Sequence, residues 1–123
     1  MAATLGIRAV SMESDRVVLK MSLSPAQSNH RGSVSGGALA TLLDLGLAAA
    51  VRADAPTRYS VATVELSLRF LRPCIGDVSV VAHCERRGRS ISFARGEAID
   101  QEGRAVASAT GVFCRLPRAP HEP

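Results

Sequence analysis

The sequence predicts a single α+β domain: one long hydrophobic helix wrapped by a curved antiparallel sheet of five to six strands. Three observations carry that expectation. From about Gly36 to about Val51 only Thr41 and Asp44 are plainly polar, and leucines and alanines surround the axis, as in a helix enclosed by other structure. From Tyr59 onward the hydrophobic period changes to two. Two later segments carry rows of small residues, Ala94, Gly96 and Ala98 on one and Ala105, Ala107, Ala109 and Gly111 on the other, which let a helix approach a sheet closely.

Taken in order, residues 4–10 and 16–23 alternate about the turn-like "MESD" and predict an opening hairpin. The polar loop "SPAQSNHRG" leads into the helix, which at 1.5 Å per residue is ~24 Å long. In "SVATVELSLRFL" the alternation places Ala62, Val64, Leu66, Leu68 and Phe70 on one face and Thr63, Glu65, Ser67 and Arg69 on the other. Strands at about 77–86, 90–100 and 104–115 come next, divided by "RRGR" and "DQEG", which suit tight hairpin turns. The ordered core is expected over about 4–116, with the tail "RAPHEP" frayed.

At 123 residues, 46% hydrophobic and 21% charged, the chain suits one globular domain spanning 1–123. Its longest apolar run is too interrupted to cross a bilayer, and the N-terminus has neither a secretory nor a transit pattern, so the expected location is cytoplasmic. Cys74, Cys84 and Cys114 are an odd set without a C-x-x-C pair, which argues against a disulfide framework or a zinc site and for small core residues. The net charge of +4 rests almost wholly on arginine and could draw a phosphate-bearing ligand. Nucleic acid is disfavoured, because Tyr59, Phe70, Phe93 and Phe113 form no basic-aromatic cluster.

The chemistry gathers at the start of the helix. Ser35 is placed to cap it, and Gly36 and Gly37 leave the first amides unobstructed, so that they could stabilise a developing negative charge. A tight loop-to-helix junction explains the same tripeptide. Asp44 comes seven residues after Gly37 and lies on the same helical face ~10 Å further along. Within one chain it cannot reach a carbonyl held at its own helix N-terminus. A carboxylate in so apolar a helix costs several kcal/mol of desolvation unless it is paired or reaches a wet cleft. Either a core donor such as a backbone amide or Thr41 satisfies it, or a second subunit brings its own helix N-terminus nearby.

A nucleophilic role for Ser35 lacks partners: His83 is predicted on a strand, His121 lies in the tail, and the G-x-S-x-G elbow is absent. The stretch "SGGALATLLD" is no phosphate loop, because the Gly-Lys-Ser/Thr is missing.

Asn29, Gly32, Ser35-Gly36-Gly37 and Asp44 stand at the spacings of Asn-x-x-Gly-x-x-His-Gly-Gly with an Asp nine positions after the His. That pattern resembles the hotdog-fold thioesterases of the phenylacetate-degradation (PaaI) type. "TVELSLRFLRPCIGD" resembles the family's strand after the helix, and "RRGRSISFARGEAIDQEGRAVASATGVF" its closing strand pair, so the likeness covers most of residues 15–115.

The resemblance implies a homo-oligomer, a dimer with the two helices side by side or a tetramer, in which each active site combines both chains. Asn29 and Gly36 would come from one subunit, the Gly36 amide polarising a thioester carbonyl, with Gly37 beside it contacting substrate. Asp44 would come from the other, activating water or attacking the carbonyl itself. Thr63 falls where relatives carry a hydroxyl that orients the water or the acid, and it is equally an ordinary strand threonine. Ser35 departs from the family's His: it can still donate a hydrogen bond but cannot become cationic. His30 could compensate, although a loop His is more often solvated.

For coenzyme A, Arg89 and Ser90 in "RRGRS" resemble the basic-hydroxyl turn of relatives; a solvated hairpin is the plainer account. Glu65 reads as exposed or salt-bridged. The activity implied is hydrolysis of an aromatic or medium-chain acyl-CoA to free acid and CoA, without metal or other cofactor, CoA entering only as part of the substrate. Two alternatives stand beside it: a non-catalytic acyl-CoA binding or sensing protein, and a hotdog hydratase or dehydratase, which lacks its usual Asp/His pairing here.

Overall fold

The computed structural model describes residues 6–22 and 32–118. Strands β1 (Ile7–Met12) and β2 (Arg16–Met21) form the opening hairpin, and helix α1 (Gly36–Arg52) and strands β3 (Tyr59–Phe70), β4 (Val78–Arg87), β5 (Ile91–Ile99) and β6 (Ala105–Pro117) complete the chain. The boundaries fall close to those expected. Residues 4, 5 and 23 of the expected hairpin, together with Asn29, His30 and His121, lie outside the described residues. One six-stranded sheet runs in the order β1-β2-β4-β5-β6-β3, with every neighbour antiparallel. Strand β3, though next after the helix in sequence, sits at the far edge.

The two rows of small residues are neighbours: Ala94 pairs with Gly111, Gly96 with Ala109 and Ala98 with Ala107. They form a shallow floor on which α1 lies, its Leu39, Leu42, Leu43, Leu47 and Ala50 buried against Val17, Met21, Val80, Ala82 and Phe113. A Cβ on Gly46 would stand 2.7 Å from Val80 Cγ1, and one on Gly96 would stand 2.8 Å from Leu47 Cδ1 and 3.0 Å from the Val81 carbonyl oxygen. The second of those obstacles at Gly96 is backbone and cannot rotate away. Gly96→Ala is therefore expected to cost about 2 kcal/mol through overpacking, read as a lowered urea midpoint; an unchanged midpoint would show that α1 has room to lift.

Two expectations need correction. The helix is not enclosed all round by its own chain: Thr41, Asp44 and Ala48 are half-buried and Leu45 is exposed, so one stripe stays open. The simple alternation of β3 also fails. A β-bulge between Thr63 and Glu65 inserts Val64, so the face turned to the helix passes from Val61 and Thr63 to Leu66 and Leu68. Ala62 and Val64 are exposed rather than committed to the core. Of the cysteines, Cys74 is fully buried, whereas Cys84 and Cys114 are only half-buried.

The turn after β5 is held by Asp100, whose carboxylate accepts from the amides of Glu102 and Arg104, each at 2.9 Å, and from Arg104 Nε at 3.0 Å. The Arg104 amide, with the others assisting against burial, holds this carboxyl below its ordinary pKa. Gly103 closes the turn at φ +82°, a conformation that side chains disfavour. No helix among the described residues is long and apolar enough to cross a membrane.

Candidate active site

Ser35 ends the loop in an extended conformation, and its Oγ accepts from the Ala38 amide at 3.1 Å, the N-cap that the sequence predicts. With that cap in place Gly36 and Gly37 start the helix as exposed residues. Gly36 lines a cleft of about 430 Å3 together with Ser33, Val34, Leu39, Phe70 and residues 71–75. The ring of Phe70 stands where a Gly36 side chain would touch it, 3.8 Å away, so this aromatic forms a wall beside the first helical amide.

Asp44 lies on the open stripe of α1. Thr63 Oγ1 donates to its Oδ1 at 2.7 Å, crossing from β3 just before the bulge. Of the two partners foreseen for this carboxylate, Thr41 is otherwise engaged: its hydroxyl donates to the Gly37 carbonyl at 2.9 Å. The bulge is what makes the Asp44–Thr63 contact possible, because it lets β3 turn Thr63 inward and still bury Leu66 and Leu68 beyond it. Neither Asp44 nor Thr63 lines the cleft at the helix N-terminus. Within one chain the site is therefore two separate halves, an amide-lined cleft and a hydroxyl-braced acid.

Arg89 and Ser90 are exposed in the turn between β4 and β5. That turn lies at the opposite end of α1 from Gly36, because its neighbour Arg87 donates from Nε to the Val51 carbonyl at 2.8 Å and from Nη2 to the Ala50 carbonyl at 2.9 Å. The structure thus does not bring Arg89 and Ser90 to their own chain's cleft. It also spends Arg87, a member of the same basic turn, on the end of the helix. Glu65 is exposed, one of the two fates foreseen for it.

Other nucleophiles fall away on geometry. His83 sits on the face of β4 opposite the inward Val80 and Ala82, with the sheet between it and Ser35. Cys74 lines the cleft, yet burial, with the Asp100 charge assisting, pushes its thiol pKa up, and burial does the same to Cys84. Neither is poised as a thiolate. Among the described residues no group of three His, Cys, Asp or Glu side chains could hold a metal ion. Sequence reasoning missed the cleft's Phe70 and Arg72; only the closure of the loop after β3 against residues 33 and 34 shows them, through the Val34 amide's 2.8 Å hydrogen bond to the Cys74 carbonyl.

Comparison with known proteins bears on the family and the fold. Residues 31–107 match the family model described as the thioesterase superfamily. A Halobacterium salinarum protein named as a candidate esterase is 30% identical over 120 residues, covering 89% of this chain and 80% of its own length. A thioesterase family protein from Silicibacter pomeroyi superposes with a TM-score of 0.88 at 28% identity, over 95% of this chain and 89% of that one. The E. coli PaaI protein of the phenylacetic acid degradation operon superposes with a TM-score of 0.85 at 25% identity, over 94% and 83%. One helix wrapped by a six-stranded antiparallel sheet is here the hotdog fold that the motif predicts.

Proposed function

This chain belongs to the thioesterase superfamily and is a thioester hydrolase, and from that premise we propose that it cleaves an aromatic or medium-chain acyl-CoA to free acid and CoA at a site shared between two subunits. The observation that carries the reading is the Asp44 carboxylate, braced by Thr63 at 2.7 Å on a helix stripe that its own sheet leaves open. One of its oxygens ties α1 to β3 through Thr63, and its place on the open stripe supports a role towards something outside the chain.

Two surfaces support the second subunit. Strand β3 is a twelve-residue edge strand with Val64 60% and Phe70 54% exposed, a template that proteins normally cover. The open stripe of α1 lies beside it. Antiparallel pairing of two β3 edges would cover both and bring one chain's Asp44 towards the other's Gly36. A dimer, alone or doubled into a tetramer, is the proposed working state.

In the reaction, the Gly36 amide donates to the thioester carbonyl oxygen, and Ser35, whose Oγ already accepts from Ala38, retains its hydroxyl proton to donate as well. Asp44 of the second subunit takes a proton from water as the water oxygen bonds to the carbonyl carbon. Collapse of the adduct breaks the carbon–sulfur bond, and the CoA sulfur leaves with the proton that Asp44 held. Asn29 is assigned to the carbonyl side, Thr63 to orienting Asp44, and Gly37, Arg89 and Ser90 to substrate and CoA contacts. No metal or further cofactor enters. Cytoplasmic residence accords with three free cysteines and an acyl-CoA substrate.

A panel of acyl-CoA thioesters with free-thiol detection tests the reading. Release of CoA from aromatic or medium-chain members is expected, and silence across the panel would overturn it. Ser35→His measures what the departure from the family's His does: a rise in turnover marks Ser35 as a weaker polariser, a fall marks it as suited to its own substrate.

A further inference from the structure

The cleft beside Gly36 is walled by Val34, Leu39, Phe70, Leu71 and Ile75, and among the described residues lining it Arg72 alone is charged. Its volume of about 430 Å3 is that of a small-molecule site. Arg72 is exposed, and its guanidinium has no hydrogen-bond or ion-pair partner among the described residues. Elsewhere Arg87, Arg95, Arg104 and Arg115 each meet a carboxylate. The backbone beneath Arg72 is tethered: the amides of Leu71 and Arg72 both donate to the Val106 carbonyl, at 2.8 and 3.4 Å, and Pro73 narrows the backbone freedom of the arginine before it. An exposed guanidinium carried on a tethered backbone beside an apolar cleft matches a pair of anionic oxygens.

We propose that Arg72 is a specificity-determining residue that docks an anionic group of the thioester substrate at the mouth of this cleft. The inference rests on the thioesterase reading and adds to it the part of the substrate that the cleft recognises. Two sources supply that chemistry, a phosphate of CoA or a carboxylate on the acyl chain. Both present paired oxygens to one guanidinium. The apolar walls then hold the uncharged part of the ligand alongside.

Four substrates separate the sources: a neutral acyl chain and its ω-carboxylated counterpart, each as the CoA thioester and as the N-acetylcysteamine thioester, which lacks phosphate. Arg72→Gln is expected to raise KM by about 10- to 100-fold, the worth of a charge-assisted hydrogen bond, with the loss appearing in KM rather than kcat. Arg72→Lys, which keeps the charge and loses the planar geometry, should fall between. A penalty confined to both CoA thioesters identifies the phosphate, and one confined to both carboxylated chains identifies the acyl carboxylate. Unchanged KM for all four overturns the proposal. Titrating the non-hydrolysable thioether analogues into wild type and Arg72→Gln reads the same difference as Kd without turnover. Failure of hydrolysis with a retained Kd difference would then count against the enzyme reading alone, and an equal Kd against the role of Arg72.

Discussion

Asp44→Asn is expected to lower kcat by about 10²- to 10⁴-fold, the usual contribution of a positioned general acid–base group. Asparagine keeps the shape of the side chain, and its Oδ1 can still accept from Thr63 Oγ1, so the 2.7 Å brace between α1 and β3 survives. What disappears is the proposed proton acceptor. Folding stability should therefore hold, and the Kd of a thioether analogue should stay near wild type, because asparagine keeps the size of the side chain and the Thr63 contact. Full activity in Asp44→Asn would sink the mechanism while leaving hydrolysis itself intact. Thr63→Val separates the brace from the base: the carboxylate remains but loses a hydrogen bond to a charged group, about 1.5–3 kcal/mol of positioning. A smaller loss than in Asp44→Asn is the expected order.

Much of this arrangement is legible from residue types alone. The helix declares itself by its leucines and alanines, the cap by Ser35 before two glycines, and the close helix–sheet approach by alternating Ala and Gly at positions 94–98 and 105–111. Each depends on local spacing, which the chain carries in full. Inward and outward faces are lost wherever a bulge intervenes, because one inserted residue reverses every later position. That happens at Val64, where strict alternation groups Ala62 with Leu66, whereas the structure turns Thr63 inward and Ala62 out. It happens again between Cys84 and Arg86, where β4 bulges around Glu85. The cleft is illegible for a different reason: its walls come from two segments some forty residues apart, and nothing in either announces the other.

The second bulge carries the other large expected effect. Without it Arg86 would come next after Cys84 on the inward face; with it Arg86 pairs opposite exposed Phe93, and Arg87 turns inward opposite buried Ser92. There its guanidinium reaches the carbonyls of Ala50 and Val51, among the last of α1, and also donates to the Ser14 carbonyl at 2.9 Å and to Asp15 at 2.8 Å. Helix-end carbonyls have no partner further along the helix. The backbone alternative is poor here, since the Ala53 amide reaches the Ala50 oxygen only at 3.4 Å, and both Ala50 and Val51 are fully buried. Asp54, 3.2 Å from Arg87 and 3.0 Å from Arg115, completes the cluster, with Arg115 stacked 4.1 Å from the centre of the Tyr59 ring. Arg87→Ala removes the shared donor from two buried carbonyls at once and should cost about 3 kcal/mol. Arg87→Lys should recover only part of that, because one ammonium cannot span both oxygens and the two aspartates. Arg86→Ala and Arg89→Ala, on the exposed side of the same turn, should stay within about 0.5 kcal/mol of wild type. Urea unfolding of the four variants ranks them directly, and Arg87→Ala falling level with Arg89→Ala would show that solvent satisfies the helix end without it. The expected ranking separates Arg87, which holds the end of the Asp44 helix in place, from Arg86 and Arg89, which stay exposed on the same turn.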